Sequence, residues 1–129
     1  MKLNALAPLL NVEDAARSIR FYTQTLGFDV VREAEIAGAI RWAALRHGDI
    51  TLMINQSVRA DSGRRRKRPS YGETVFYFYV ESAPALQSTL KGRGVEVGEV
   101  TVEDYGLAEF RLRDPDGYEL AFGSEVDAG

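Results

Sequence analysis

An internal repeat is the strongest constraint on the fold, because both halves of the chain run through the same order of predicted elements. In each half an apolar strand leads into an amphipathic helix that ends near a glycine, and three β-favouring segments follow. Residues 12–15 (VEDA) correspond to residues 80–83 (VESA). One such module leaves a face of its sheet uncovered, so two modules are expected to pair. The sequence therefore predicts an α+β fold in which two paired βαβββ modules form a curved mixed sheet around a cleft, with helices on the outer faces.

The chain length of 129 residues suits a single domain, and the repeat sets the approximate limits of its parts. Asp14 and Ser82 are the predicted N-caps of the two helices, and residues 95–102 are predicted to form the first strand after the second helix. The domain, residues 1–129, is predicted to comprise module one (about 1–56), a basic loop (57–72) and module two (about 73–126).

Charge is concentrated in one short segment. Residues 59–68 carry six basic side chains and Asp61, a local net charge of +5, in a chain whose net charge is −3, so the remainder carries −8. The segment is interpreted either as a mobile solvated loop or as a loop that closes over a ligand or contacts a partner. Nucleic acid is not an expected partner, because the acidic remainder of the chain would repel phosphate.

The side chains available for chemistry are few. The sequence contains no Cys, which excludes disulfides, zinc ribbons, iron–sulfur clusters and thiol catalysis. Its only histidine, His47, lies in a predicted turn and is expected to be solvated, so a two-histidine metal site within one chain is excluded. No apolar run approaches the roughly 20 residues needed to cross a bilayer, and no signal peptide is evident, so we expect a cytoplasmic protein without a membrane partner.

Two segments carry a family resemblance. Residues 11–28 read NVEDAARSIRFYTQTLGF, and residues 105–122 read YGLAEFRLRDPDGYELAF. They resemble the opening and closing signatures of the vicinal oxygen chelate superfamily, which includes glyoxalase I, extradiol dioxygenases and bleomycin resistance proteins. The resemblance covers nearly the whole chain apart from the basic loop and the last few residues.

Enzymes of that superfamily hold a divalent metal at four pseudo-symmetric strand positions, using His, Gln or Glu side chains. The resemblance places these positions at Ala7, Met53, Val75 and Ala121. Apolar and thioether side chains do not coordinate hard or borderline divalent ions, and Glu119 on the same face would stand alone. We therefore expect no metal and no other cofactor.

The pattern is most similar to the bleomycin resistance group, whose members are acidic, metal-free dimers that sequester a cationic glycopeptide antibiotic. The resemblance implies a homodimer, with exchange of first strands left open, that binds a cationic aromatic or glycopeptide antibiotic without a metal. An enzyme of the glyoxalase-like superfamily is the alternative: a lyase, isomerase or dioxygenase, metal-dependent or metal-free, with Glu109, Glu119 or a tyrosine as base. A binding or immunity factor of a natural-product pathway is a third interpretation.

Strand alternation predicts which side chains face the ligand and which pack beneath the helices. The alternative for the aromatic residues is that they fill the core or a dimer interface, and Glu109 and Arg111 could instead be solvated or paired with each other. No residue is assigned a catalytic role. The predicted ligand-binding residues are Asn11, Trp42, Met53, Asn55, Tyr77, Tyr79, Tyr105, Glu109 and Arg111. The predicted buried residues are Leu10, Val12, Leu52, Ile54, Phe76, Phe78, Leu120 and Phe122.

Overall fold

The computed structural model describes residues 1–69 and 73–126, and it consists of two compact units, Met1–Arg64 and Arg65–Gly129. Each unit contains a four-stranded sheet whose strands follow the same order, which confirms the α+β fold with two βαβββ modules. No helix in the described residues is long and apolar enough to cross a membrane.

The first unit forms a mixed sheet with the order β1-β4-β3-β2, in which β1 and β4 are parallel and the other pairs are antiparallel. Buried and more exposed side chains alternate along β1 and β4 as predicted, and Leu10, Val12, Leu52 and Ile54 are all buried. The elements are β1 (Leu9–Val12), α1 (Ala15–Arg20), a π-helical turn (Phe21–Thr25), β2 (Asp29–Ile36), β3 (Ala39–His47) and β4 (Ile50–Gln56).

The second unit repeats this arrangement with the order β5-β8-β7-β6, again with the first and last strands parallel. Leu120 and Phe122 are buried as predicted, whereas Phe76 and Phe78 are half-buried; Phe78 stacks on Phe122 with ring centroids 5.2 Å apart. The elements are β5 (Val75–Tyr79), α3 (Ala83–Gly92), β6 (Thr101–Val102), β7 (Leu107–Arg113) and β8 (Glu119–Glu125).

Helices α1 and α3, which occupy equivalent places in the two modules, begin in the same way. The Asp14 carboxylate accepts a hydrogen bond from the backbone N–H of Arg17, and the Ser82 hydroxyl accepts one from that of Ala85, so both predicted N-caps are present. In each module, a side chain from the last strand also accepts a hydrogen bond from the backbone N–H of the first helical residue. Ala15 N donates to Gln56 Oε1 (2.9 Å), and Ala83 N donates to Ser124 Oγ (2.8 Å).

Two segments differ from the sequence prediction. Only Thr101–Val102 of the predicted strand 95–102 pairs as a strand. Upstream of it a single hydrogen bond joins Gly98 N to Arg111 O (2.8 Å). The predicted basic loop 57–72 contains a short helix, α2 (Ser62–Arg66), and its residues 70–72 lie outside the described residues. Asp61 accounts for this helix, because its carboxylate accepts a hydrogen bond from Arg64 N at 2.9 Å.

Candidate functional site

One face of the second sheet carries charged and phenolic side chains instead of apolar ones. Phe110 and Leu112 of β7 are buried on the other face, and α3 packs against β7. Glu109, Arg111 and Arg113 therefore share the first face by strand alternation. The strand register places Gly123 beside Glu109, Ala121 beside Arg111 and Glu119 beside Arg113. Charged groups thus run along β7 in the middle of the sheet, where apolar residues are the usual choice.

Glu109 is the centre of this polar face. It is 0% exposed, and both of its carboxylate oxygens are engaged. Oε1 accepts hydrogen bonds from the Tyr77 hydroxyl (2.9 Å) and from the Tyr105 hydroxyl, and Oε2 accepts from Arg111 Nη2 (3.1 Å) and Nε (3.3 Å). A buried carboxylate is tolerated only when it is paired and hydrogen-bonded in this way. We name Glu109 with its three donors the Glu109 cluster.

Gly123 allows the Glu109 cluster to form. Tyr77 lies on β5 and Glu109 on β7, so the tyrosine must cross β8 to reach the carboxylate. A Cβ atom at position 123 would lie 2.6 Å from Tyr77 Cζ and 2.8 Å from Tyr77 Cε1, and closer still to the hydroxyl. Only glycine leaves room for the phenol. The sequence interpretation missed this role, although a glycine inside a strand is the signal for such a close approach.

A tight turn brings the second phenol to Glu109. Gly106 N donates to Glu103 O (2.9 Å) and Gly106 has a φ of 86°, so the chain reverses just after Tyr105. Tyr105 and Glu109 are only four residues apart in sequence, yet Tyr105 remains 60% exposed. Its ring therefore offers a face to solvent while its hydroxyl is held by a buried carboxylate.

The cluster raises the pKa of both phenols above the usual tyrosine value near 10. Burial and then the hydrogen bond to Glu109 raise the pKa of Tyr77 well above its usual value. The hydrogen bond to Glu109, followed by burial, raises the pKa of Tyr105 to about 12. Each hydroxyl donates its proton to Glu109 and retains oxygen lone pairs that accept hydrogen bonds. The two phenols are thus suited to receive a ligand N–H group and are poor general bases.

Arg111 connects the Glu109 cluster to neighbouring carboxylates. Its Nη2 also donates to Glu103 Oε1 (3.2 Å), and its Nη1 lies 3.9 Å from Glu119 Oε1. Burial lowers the pKa of the Arg111 guanidinium, although the Glu119 carboxylate favours its charged form. With Arg113 included, the face carries three carboxylates and two guanidinium groups, a net charge of −1. Glu103, Glu119 and Arg113 were not among the predicted binding residues.

The predicted residues of the first unit occupy one face of its sheet. Asn55 Nδ2 donates to Asn11 Oδ1 at 3.0 Å, which joins the ends of β1 and β4. Trp42 is the register partner of Asn55, and Met53 lies two residues before it on the same face. In the second unit, Tyr79 is 78% exposed and its ring centroid lies 5.2 Å from that of Tyr77. Tyr77, Tyr105, Glu109 and Arg111 are in direct contact, as their hydrogen bonds require.

The four positions that the family resemblance assigns to metal ligands hold side chains that do not fit a divalent ion. Ala7, Met53, Val75 and Ala121 offer no nitrogen or oxygen donor from their side chains. Glu119 is already paired: its Oε1 lies 3.9 Å from Arg111 Nη1, and its Oε2 lies 3.8 Å from Arg113 Nη2. Within residues 1–69 and 73–126, no three His, Cys, Asp or Glu side chains are placed together to hold a metal.

Comparison with solved structures places this fold among both binding proteins and enzymes. The protein SMU.1112c is 33% identical, with a TM-score of 0.74 over 95% of this chain and 99% of that chain. A bleomycin-binding protein from bleomycin-producing Streptomyces verticillus, complexed with copper(II)-bleomycin, is 24% identical, with a TM-score of 0.70 over 96% and 98%. A lactoylglutathione lyase from Agrobacterium tumefaciens is 16% identical, with a TM-score of 0.67 over 95% of both chains.

Comparison by sequence gives the family. No curated protein matches the chain at a significant level. The profile of the Glyoxalase/Bleomycin resistance protein/Dioxygenase superfamily matches residues 2–122, which is nearly the full length. The chain therefore belongs to the glyoxalase/bleomycin resistance protein/dioxygenase superfamily.

Proposed function

We propose that this protein binds and sequesters a cationic, partly aromatic antibiotic of the bleomycin type, without a metal of its own and without altering the ligand chemically. The Glu109 cluster is the observation that carries the proposal. It joins a buried carboxylate to two tyrosine hydroxyls, and the neighbouring Tyr79 and the Tyr105 of the cluster are both exposed.

Charge and ring geometry both favour a cationic aromatic ligand. The face has a net charge of −1, and the body of the chain outside residues 59–68 is acidic. A planar ligand group stacked on an exposed tyrosine gains about 0.5–1.5 kcal/mol beyond its area burial. A ligand cation over the same ring adds a comparable amount. The bleomycin-binding protein of similar fold supports the ligand class.

The chemistry of Glu109 argues against the enzyme alternative. A general base needs a lone pair that can reach the substrate proton, and Glu109 already accepts from Tyr77, Tyr105 and Arg111. Glu119 likewise lies within ion-pair distance of Arg111 and Arg113. A binding role requires no change in these contacts. The Tyr77 and Tyr105 oxygens can accept hydrogen bonds from a ligand while their hydroxyl protons remain bonded to Glu109.

Isothermal titration with metal-free bleomycin and with copper(II)-bleomycin tests the proposal. Tyr105→Leu removes an exposed ring and should weaken binding roughly two- to twelvefold, as expected for one lost stacking contact. Glu109→Gln should weaken binding at least roughly tenfold, because the donors lose a charged acceptor. Glu81→Gln makes the same charge change at an exposed position and serves as the matched control. Absence of binding by the wild-type protein, or an equal effect of Glu81→Gln and Glu109→Gln, would contradict the proposal.

We propose in addition that the protein is a cytoplasmic homodimer. Large apolar side chains are exposed in the first unit, which supports burial against a second copy. Light scattering on the purified protein should give twice the mass of one 14.3 kDa chain. These exposed side chains include Leu3, Leu6, Leu9, Val31 and Ile36.

A further inference from the structure

A cavity of about 400 Å³ opens beside the Glu109 cluster, entirely within the second unit. Its volume falls in the range of roughly 300–1,000 Å³ that is typical of small-molecule sites. Its wall combines three arginines with two glutamates, and Gly98 supplies backbone to the wall. The lining residues are Arg66, Glu96, Val97, Gly98, Arg111, Leu112, Arg113 and Glu119.

Two of the three arginines, Arg66 and Arg113, are held in place by hydrogen bonds to backbone carbonyls. Arg113 Nη1 donates to Arg65 O and Gly117 O (both 3.0 Å), and its Nη2 donates to Arg68 O (2.7 Å). Arg66 Nη2 donates to Pro115 O. These bonds fix the guanidinium groups before any ligand arrives, which reduces the entropy lost on binding. The basic segment thus contributes Arg66 to the cavity wall.

Gly117 permits this approach of the basic segment. It has a φ of 86°, and a Cβ atom there would lie 3.0 Å from both Arg66 N and Arg66 Cγ. A side chain at this position would push α2 away from the turn at residues 114–117. The turn is itself braced by Asp114 Oδ1, which accepts from Asp116 N and Tyr118 N at 2.9 Å.

The charges in the wall select among anions. The residues that line the cavity carry three guanidinium groups against two carboxylates, a net charge of +1, and Arg111 also pairs with Glu103 and Glu109 outside the lining. A monoanion balances this charge, whereas a phosphate dianion would exceed it and meet repulsion from Glu96 and Glu119. Planar guanidinium groups match the two oxygens of a carboxylate.

We infer that this cavity is a carboxylate subsite, so that the ligand carries a carboxylate in addition to the cationic aromatic part held at the Glu109 cluster. The inference rests on the proposed function in taking this face of the sheet as the ligand-binding face. Arg111 lines the cavity and contacts Glu109, which places the two subsites next to each other.

Titration of the whole protein with benzoate, phenyl phosphate and benzylammonium tests the subsite, with amide NMR shifts of Val97 and Gly98 to locate binding. Benzoate should bind, shift these two amides and bind more tightly than phenyl phosphate. Arg66→Met should weaken benzoate binding roughly fivefold, the effect of losing one partly exposed charged contact. Arg64→Met is the matched control, because it removes the same charge from the same helix without touching the cavity.

A second pair of variants tests the charge argument in the opposite direction. Glu96→Gln raises the net charge of the wall from +1 to +2 and should tighten benzoate binding roughly two- to fivefold, while Glu99→Gln outside the cavity should not. A gain in affinity cannot arise from misfolding. The inference fails if benzoate does not bind, if Arg64→Met weakens it as much as Arg66→Met, or if phenyl phosphate binds more tightly.

Failure of the carboxylate subsite and failure of the proposed function give different results in these experiments. If bleomycin binds and Tyr105→Leu weakens it, but benzoate does not bind, the carboxylate subsite is refuted and the proposed function stands. If benzoate behaves as expected and neither bleomycin nor benzylammonium binds, the subsite stands and the proposed function is refuted.

Discussion

Replacement of Gly123 by alanine tests the packing on which the Glu109 cluster depends. The new Cβ atom would lie 2.6 Å from Tyr77 Cζ, well inside ordinary van der Waals contact, and Cζ belongs to a rigid ring. The ring must therefore swing away, and the bond from Tyr77 Oη to Glu109 Oε1 is lost. A hydrogen bond to a charged group contributes about 1.5–3 kcal/mol, so we expect a loss of about 2 kcal/mol in the free energy of unfolding.

Urea denaturation followed by far-UV circular dichroism measures this loss. In a Tyr77→Ala background the clash is absent, so Gly123→Ala should then change the free energy of unfolding by less than about 0.5 kcal/mol. Gly92→Ala is the control, since a Cβ there meets nothing within 4 Å. It should be neutral or stabilising by up to about 1 kcal/mol. The reasoning is refuted if Gly123→Ala leaves stability unchanged, or if its effect is the same with and without Tyr77.

Three further predictions concern pH, the basic segment and metal. The pKa of Tyr105 in the folded protein, about 12, lies above the unfolded value near 10, so its contribution to stability is complete below about pH 10 and is lost as the pH rises through 12. Ultraviolet titration of tyrosinate should show the late ionisation of both Tyr77 and Tyr105, and Tyr105→Phe should remove one of the two late-ionising groups. Arg113→Met removes three hydrogen bonds to backbone carbonyls and should destabilise the protein by about 2–3 kcal/mol, with faster proteolysis near residues 65–68; unchanged proteolysis would contradict the docking of this segment. Elemental analysis should find no stoichiometric divalent metal, and a bound equivalent of nickel, zinc, iron or manganese would overturn the metal-independent proposal.

The features that the sequence predicted best are those set by nearby residues. The caps at Asp14 and Ser82 depend on side chains within three positions, and both form as expected. The buried positions of β1 and β4 follow from a period of two, which any half-buried strand imposes. The internal repeat strengthened these predictions, because the same order of strand and helix signals occurs in both modules.

The features that the sequence did not predict depend on residues far apart in the chain. Tyr77 and Glu109 are 32 positions apart, and a glycine at position 123 signals a close approach without identifying the phenol that makes it. The basic segment could not be distinguished from a solvated loop, because its contacts with Arg113 and Pro115 span 45 to 49 residues. Periodicity identifies the face on which a side chain lies, but not the partner that it meets there.

The side-chain bonds that start the two helices have a consequence for how the chain tolerates change. Gln56 reaches back to Ala15, and Ser124 reaches back to Ala83, each across 41 positions. Each bond closes a loop of chain that contains its whole helix and the three strands after it. Residues added or removed inside either loop must be accommodated without opening it. The basic segment at residues 59–68 lies outside both loops. A change in the length of this segment therefore leaves both loop closures intact and acts instead on the bonds that the segment makes with Arg113 and Pro115.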